Sequence, residues 1–527
     1  MNPSLFTRRF ARPLVFFVLF ALLASVGLAK EVMTPEQLLG LKQVREAVIS
    51  PDGQHIAYTL MIPRQPSEEA GSAYTELHVV ATKTGQSRGY ITGDVSVRGL
   101  QWVPGSREVS FLLRRGEKAS TQVWAIPVDG GEAHQVTSAP ASLIAYQWRP
   151  DGQEIAYIYT DLTTAREKSL KAKGYGFTYY EEDLKSRRLY TAPVNNGEAG
   201  EQKVLTGEGA VWEFIYSPDG KTIAASMSEK NLIDFRYAFN YIFSVDVASG
   251  QTKKISSNEG KLGNFEYSPD GKYLAYAAAL NQNDNAVSQA FVVPAGGGEA
   301  QNLTPENYRG HVTWVGWKDA NTLAYLASEG VWDRLVNIPV KGGTRKSVFY
   351  SQDLGFAPGT PSYTPGFKMA AFTGSNGSYP SELFYWDGKK ATRLTNSNPE
   401  LSSTALGKQE VIRYKARDGQ EIEGLLIYPV GYESGKSYPL VVKVHGGPES
   451  HFPNRWVSRY SEPGQVLAGK GYLVFFPNYR SSTGYGVKFA MTGFNDAAGV
   501  EFDDIADGID HLIATGLADK DRVGLGG

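Results

Sequence analysis

The sequence predicts a β-propeller of seven blades followed by an α/β domain built on a parallel sheet. Three observations carry this. A motif of an aromatic or apolar residue, a Pro-Asp-Gly turn and a returning apolar strand recurs from Ile49 to Gly366. Near residue 400 the pattern changes to strand, helix, strand, helix, strand. Aromatics at 12% with 57 glycines suit a β-rich chain with many turns.

With 527 residues the chain exceeds one ordinary domain. Lys+Arg 53 against Asp+Glu 55 leaves a net charge of -2, without the basic excess that marks a nucleic-acid partner. Residues 1–29 read as a secretory signal peptide. Arg8, Arg9 and Arg12 are its basic region, Pro13 to Leu28 its uncharged apolar run, and Gly27-Leu28-Ala29 its cleavage site. The run is short for a membrane span, so no stable anchor is expected after cleavage and the mature chain is expected in the periplasm or secreted. Cysteine is absent, so no disulfide contributes to stability.

Residues 30–45 form an N-terminal helical segment, opened by Thr34-Pro35-Glu36-Gln37 as a capping box with proline in the first turn. Residues 46–400 hold the repeats. Ile49-Ser50-Pro51-Asp52-Gly53 returns as Trp148-Arg149-Pro150-Asp151-Gly152, Tyr216-Ser217-Pro218-Asp219-Gly220 and Tyr267-Ser268-Pro269-Asp270-Gly271. Degenerate copies lie at Trp102-Val103-Pro104-Gly105, Trp317-Lys318-Asp319-Ala320 and Tyr363-Thr364-Pro365-Gly366. Each reads as a hairpin, and seven copies roughly 46 to 68 residues apart indicate four-stranded blades in a ring. The longest interval holds an insertion, Thr160 to Tyr190, read as a solvated loop. Its Glu181 and Glu182 are candidates to hold a substrate's ammonium group.

Residues 401–527 supply the α/β part. Val411 to Tyr414 and Ile422 to Tyr428 make a hairpin, and Pro439 to His445 and Tyr472 to Phe476 read as buried strands. Phe502, Ile505, Ile509, Leu512 and Ile513 recur at helical spacing, with Asp503, Asp504, Asp507 and Asp510 assigned to the wet face. Asp521 to Gly527 begins a third strand, expected to be buried.

Val441-Val442-Lys443-Val444 runs into His445-Gly446-Gly447-Pro448. Glycine lets a main-chain N–H approach a ligand closely, and α/β-hydrolases use such a loop for one oxyanion donor. With Pro477 to Gly486, Asp519 to Gly527 and the Pro-Asp-Gly repeats, this layout resembles the prolyl oligopeptidase family of serine peptidases. There a β-propeller caps an α/β-hydrolase domain, and the acylaminoacyl-peptidase and dipeptidyl-peptidase branches look nearest. Ser481 departs from the glycine common at its position.

The resemblance implies an exported serine peptidase that hydrolyses short peptides through a Ser-Asp-His triad, with no cofactor and no metal. It places His445 and Gly446 in the oxyanion region, and Arg480 and Tyr485 in the substrate pocket. The nucleophile would follow the strand ending at Gly527, with acid and base later still. The chain is thus expected to hold only the N-terminal part of the hydrolase domain and to be inactive alone. Alternatives are a non-enzymatic periplasmic propeller that binds partners and an esterase on the same scaffold. The seven histidines show no metal-ligand spacing.

Overall fold

The three Ser-Pro-Asp-Gly repeats turn on the same few atoms. At the first, the Ser50 hydroxyl donates to Asp52 Oδ1 at 2.5 Å and the same oxygen accepts from Gln54 N at 3.0 Å. Gly53 follows at φ +71°, a left-handed conformation that glycine enters without a Cβ penalty. Ser217 with Asp219 and Ser268 with Asp270 repeat the bond at 2.6 and 2.7 Å. The structure is a computed structural model that describes residues 30–527 except 117–118, 178–180, 284–286, 306 and 448–449. The signal-peptide reading of residues 1–29, Thr178 to Tyr180 of the insertion and Pro448 therefore lie outside the described residues.

The strands on either side of these turns assemble into antiparallel sheets in chain order. The first holds Gln43–Ile49, His55–Ile62, Tyr74–Ala81 and Ser87–Ile91, and the second runs from Arg98–Trp102 to His134–Gln135. A nine-stranded sheet follows, in which two antiparallel sets meet through one parallel pair, Arg187 with Ala210. Two four-stranded sheets and a five-stranded one complete the series. Apolar clusters bridge neighbours all along it, such as Ala57 and Val79 with Val109 and Phe111. The last sheet packs on the first through Ala371 and Leu383 against Ile49, Ile56 and Val80. This is a β-propeller arrangement.

At four of the turns the aromatic residue before the turn ties back to the preceding set of strands. Trp102 Nε1 donates to Val48 O at 3.1 Å, and Trp148 Nε1 to Ser110 Oγ at 2.9 Å. The Tyr216 hydroxyl donates to Glu154 at 2.9 Å, and Trp317 Nε1 to Glu266 O at 2.9 Å. The side chain thus fills the space between sheets and satisfies its own polar atom there.

The first sheet strand starts at Gln43, inside the 30–45 segment. Before it, Pro35–Leu39 is helical with the expected Thr34–Gln37 capping box. Met33, Leu38 and Leu41 pack on Val466, so this segment binds the α/β part. The Thr160 to Tyr190 insertion is not all loop: Ala165–Ala172 is a helix, closed by a capping box from Thr164 and Glu167. Among the described residues no helix is long and apolar enough to cross a membrane.

In the α/β part five strands lie in the order Gln409–Lys415, Glu421–Ile427, Leu473–Asn478, Tyr438–Lys443, Ala518–Gly526. The last three are mutually parallel, Glu421–Ile427 runs antiparallel to them, and Gln409–Lys415 pairs antiparallel with Glu421–Ile427. The Ala518–Gly526 strand pairs, among the described residues, with Tyr438–Lys443 alone, and its Leu525 is 62% exposed. One expectation needs correction. In the Val500–Ala514 helix Asp504 is buried, whereas Phe502 is exposed. Ile505, Gly508 and Leu512 set the helix phase toward the sheet, and Asp504 shares that face because it answers a buried arginine.

One propeller hairpin turn enters the α/β core. Gly330 N donates to Gly484 O at 2.7 Å, and Asn454 N donates to Val331 O at 2.7 Å. Val331 N donates to Glu423 at 3.2 Å. The fully buried Val331 side chain joins Leu425, Ile427, Phe452, Val474 and Phe476. Val331→Ala deletes two buried methyl groups and is expected to lower stability by about 2 kcal/mol. Urea unfolding followed by tryptophan fluorescence will measure this; an unchanged midpoint would show that the two parts do not stabilise each other there.

Candidate active site

The Tyr438–Lys443 strand carries the chain to the edge of the sheet where ligands bind in open parallel folds. His445 stands just past its end and is buried. Its ring stacks on Tyr479 at 4.4 Å and meets the Phe452 ring edge-on at 5.3 Å. Its Nε2 lies 2.8 Å from Ser482 Oγ, and the Tyr479 hydroxyl donates to its carbonyl at 2.5 Å. Burial pushes the imidazole down to about 4, so it is neutral at neutral pH. Gly446 and Gly447 are exposed, and a Cβ at either would meet open space. Bare backbone is therefore presented beside a rigid, neutral ring.

Val444 N donates to Gly526 O at 2.9 Å, which sets the end of the Ala518–Gly526 strand against the His445 loop. Facing this edge is a cavity of about 420 Å³ between the two parts. His311, Thr313 and Ser328 line it from the propeller, and His445, His451 and Arg455 from the α/β part. Burial pushes His311 down to about 4 and holds His451 well below the ordinary histidine value. Among the described residues no group of three acidic or histidine side chains is placed to hold a metal ion. His311, His451 and Arg455 carried no signal in the sequence, since their shared cavity arises only when the parts dock.

The remaining candidates are dispersed. Three nitrogens of Arg480 bind carboxylates: Nε and Nη2 reach Asp504 at 2.9 and 2.6 Å, and Nη1 pairs with Asp418. This fastens the end of the Leu473–Asn478 strand to the Val500–Ala514 helix. Tyr485 lies at the seam, where its hydroxyl donates to Glu423 at 3.1 Å and accepts from Asn478 Nδ2 at 3.1 Å. It lines a different cavity, with Tyr308, Arg309 and Lys488. Glu181 pairs with Lys230 at 3.1 Å, and Glu182 is exposed beside it. Neither lines the His445 cavity.

A Gly-x-Ser-x-Gly pattern occurs at Gly85-Gln86-Ser87-Arg88-Gly89. It lies on the outer strand of the first sheet, where Ser87 Oγ meets the Tyr58 hydroxyl at 2.7 Å. No strand-to-helix turn surrounds it, so it is not a nucleophile elbow.

Ser481 is buried at φ +82°, a left-handed conformation that disfavours a Cβ. Ser481→Gly is expected to raise stability by about 1 kcal/mol, read as a higher urea midpoint; a lower midpoint would mean that the serine's own contacts outweigh the strain. His445 titrates lower folded than unfolded. Stability is therefore full above about pH 6.5, the unfolded histidine value, and falls as pH drops toward about 4. His445→Gln should flatten that slope in part, because His311 and His451 titrate the same way; an unaltered slope would show that His445 is already protonated in the native state.

The comparisons with known proteins agree on one family. Residues 458–527 match the model of the prolyl oligopeptidase family. An uncharacterized peptidase, YuxL, of Bacillus subtilis is 26% identical over 552 residues, covering 92% of this chain and 76% of that protein. Dipeptidyl-peptidase 5 of Porphyromonas endodontalis is 24% identical over 93% of this chain and 73% of its own length. Among solved structures, the Pyrococcus horikoshii acylaminoacyl peptidase superposes with a TM-score of 0.74 at 17% identity, over 94% of this chain and 74% of that one. A Mycobacterium tuberculosis puromycin-hydrolyzing peptidase gives 0.70 at 15% identity, over 94% and 76%. The structural likeness is one of fold, a propeller joined to a hydrolase domain. The match of residues 458–527, with the likeness of nearly the whole chain to proteins named as peptidases, makes this chain similar to the prolyl oligopeptidase family of serine peptidases.

Proposed function

We propose that this is an exported serine peptidase for short peptides, with a seven-bladed propeller acting as a size filter over the hydrolase site. One observation carries the reading: the exposed backbone of Gly446 lies beside the end of the Ala518–Gly526 strand, through the Val444 to Gly526 hydrogen bond. In this fold the nucleophile elbow follows such a strand, and one of its oxyanion donors lies on a neighbouring loop. A serine one or two residues past Gly527 would leave the sheet next to Gly446. The acid and the base would follow in the order Ser, Asp, His.

The chemistry is then acyl transfer. The serine oxygen attacks the peptide carbonyl, the histidine takes the serine proton and passes it to the leaving amine, and an acyl-enzyme remains. Water attacks that ester with the histidine again as base. Negative charge on the carbonyl oxygen in each tetrahedral intermediate is met by preorganised donors, for which the Gly446 region is suited. A neutral His445 adds no competing charge there. Short peptides as substrates accord with the dipeptidyl-peptidase and acylaminoacyl peptidase names of the similar proteins. The blade count is supported by the inter-sheet clusters, which pass from sheet to sheet and return to the first.

A serine-reactive phosphonate probe tests this reading. No serine within residues 30–527 is expected to label, Ser87 included, whereas a protein carrying the sequence that follows Gly527 is expected to label at one serine. Labelling within 30–527, or none in the extended protein, would sink the proposal. Rates of the extended protein on matched peptide and ester substrates will separate a peptidase from an esterase.

A further inference from the structure

Three buried polar atoms without a hydrogen-bond partner belong to residues of one short stretch that line the seam cavity: His451 Nε2, Arg455 Nε and Trp456 Nε1. Folded proteins leave few such atoms, because a buried donor without an acceptor is costly. Here three fall within six consecutive residues and on one cavity wall.

Their chemistry is of one kind. His451 Nδ1 lies 3.0 Å from Thr483 Oγ1; with the hydroxyl donating to it, the ring proton is on Nε2. Burial, and then the charge of Arg455, keep the imidazole neutral. Arg455 Nη2 contacts Asp333 at 3.3 Å, while its Nε is left over. An indole nitrogen only donates. The set is thus three N–H donors, one of them on a guanidinium. The nearby acids are already engaged, Asp333 by Arg455 and Ser328, and Glu462 by Arg459. Buried Phe452 and Val457 supply apolar wall. An anionic group with several acceptor lone pairs and an apolar neighbour fits this wall better than a cation or a neutral donor.

We propose that His451, Arg455 and Trp456 form a carboxylate-binding subsite for the peptide, opening on the same cavity as His445. This rests on the peptidase reading above and deepens it, by naming the substrate group held beside the oxyanion loop. The carboxylate comes either from the peptide C-terminus or from an acidic side chain.

Titration calorimetry of the full chain with Ala-Ala-Phe, its C-terminal amide and Ala-Glu-Ala amide tests the subsite. At least one carboxylate-bearing peptide is expected to bind roughly tenfold or more tighter than Ala-Ala-Phe amide. Tighter Ala-Ala-Phe assigns the C-terminus, and tighter Ala-Glu-Ala amide assigns the side chain. Trp456→Phe, which keeps a ring, and Arg455→Lys, which keeps the charge, should each weaken that peptide roughly tenfold and leave the amide unchanged. The Trp456 indole proton resonance should move downfield on saturation. Equal binding of all three peptides, no binding by any of them, or folded variants that bind as the parent does would overturn the subsite. If the extended protein hydrolyses peptides while these variants bind normally, the subsite alone falls. If carboxylate peptides bind as described and the extended protein never labels, the peptidase reading falls and the subsite stands.

Discussion

Parallel pairing of the Tyr438–Lys443 strand on both sides is the constraint on which the site depends. Leu440 to Val442 pair with Leu473 to Phe475, and Leu440 to Lys443 with Val523 to Gly526. Parallel strands leave a sheet at the same edge. Val444 to Gly447, Tyr479 to Thr483 and Gly527 must therefore emerge together, although they lie far apart in sequence. The stacking of His445 on Tyr479 and the bond from Val444 to Gly526 follow from that topology. Antiparallel pairing at either neighbour would have carried one of these segments to the opposite end.

The segment after the second parallel strand shows how densely that edge is used. Tyr479 stacks on His445, Arg480 binds the Val500–Ala514 helix through Asp504, and Ser482 contacts His445. Thr483 meets His451, the Gly484 carbonyl accepts from the propeller turn at Gly330, and Tyr485 reaches Glu423. Consecutive side chains in such different directions need an irregular backbone, and Ser481 at φ +82° is where the chain bends. The strain at Ser481 is thus the local cost of making six connections from seven residues. The buried Arg480–Asp504 pair belongs to the same economy. An arginine held so far from water needs its carboxylate, and removal of Asp504 would leave a buried charge unanswered.

Much of the architecture was legible because it is local. A Pro-Asp-Gly turn needs only Asp52 Oδ1 and a left-handed Gly53, so each repeat announces a hairpin within a few residues. The aromatic before it was equally visible, though its role as a tie to the neighbouring sheet was not, because Val48 and Ser110 are distant in sequence. The His445 loop was legible for the same local reason: an apolar run broken by two glycines. What failed was what depends on partners. Asp504 looked like one acid among four on a wet helix face until Arg480 turned it inward. His451, Arg455 and Trp456 were silent because neither part of the chain alone forms their cavity.

The seam also explains why the propeller is more than a cover. Its Gly330–Val331 turn is pinned in the α/β core, and the adjoining strands present Asp333, itself held by the Ser328 hydroxyl, to Arg455. Asp333 engages Nη2 of the guanidinium, and Nε is left without a partner. That turn belongs to a sheet packed between two others in a series whose last member meets its first, so it is positioned by the whole series rather than by a flexible loop. Arg455 is therefore held from the propeller side through Asp333, and His451 from the α/β side through Thr483. A cavity lined from both parts keeps its geometry only while the parts stay docked, so the docking of Val331 and the chemistry of the cavity are one structural property.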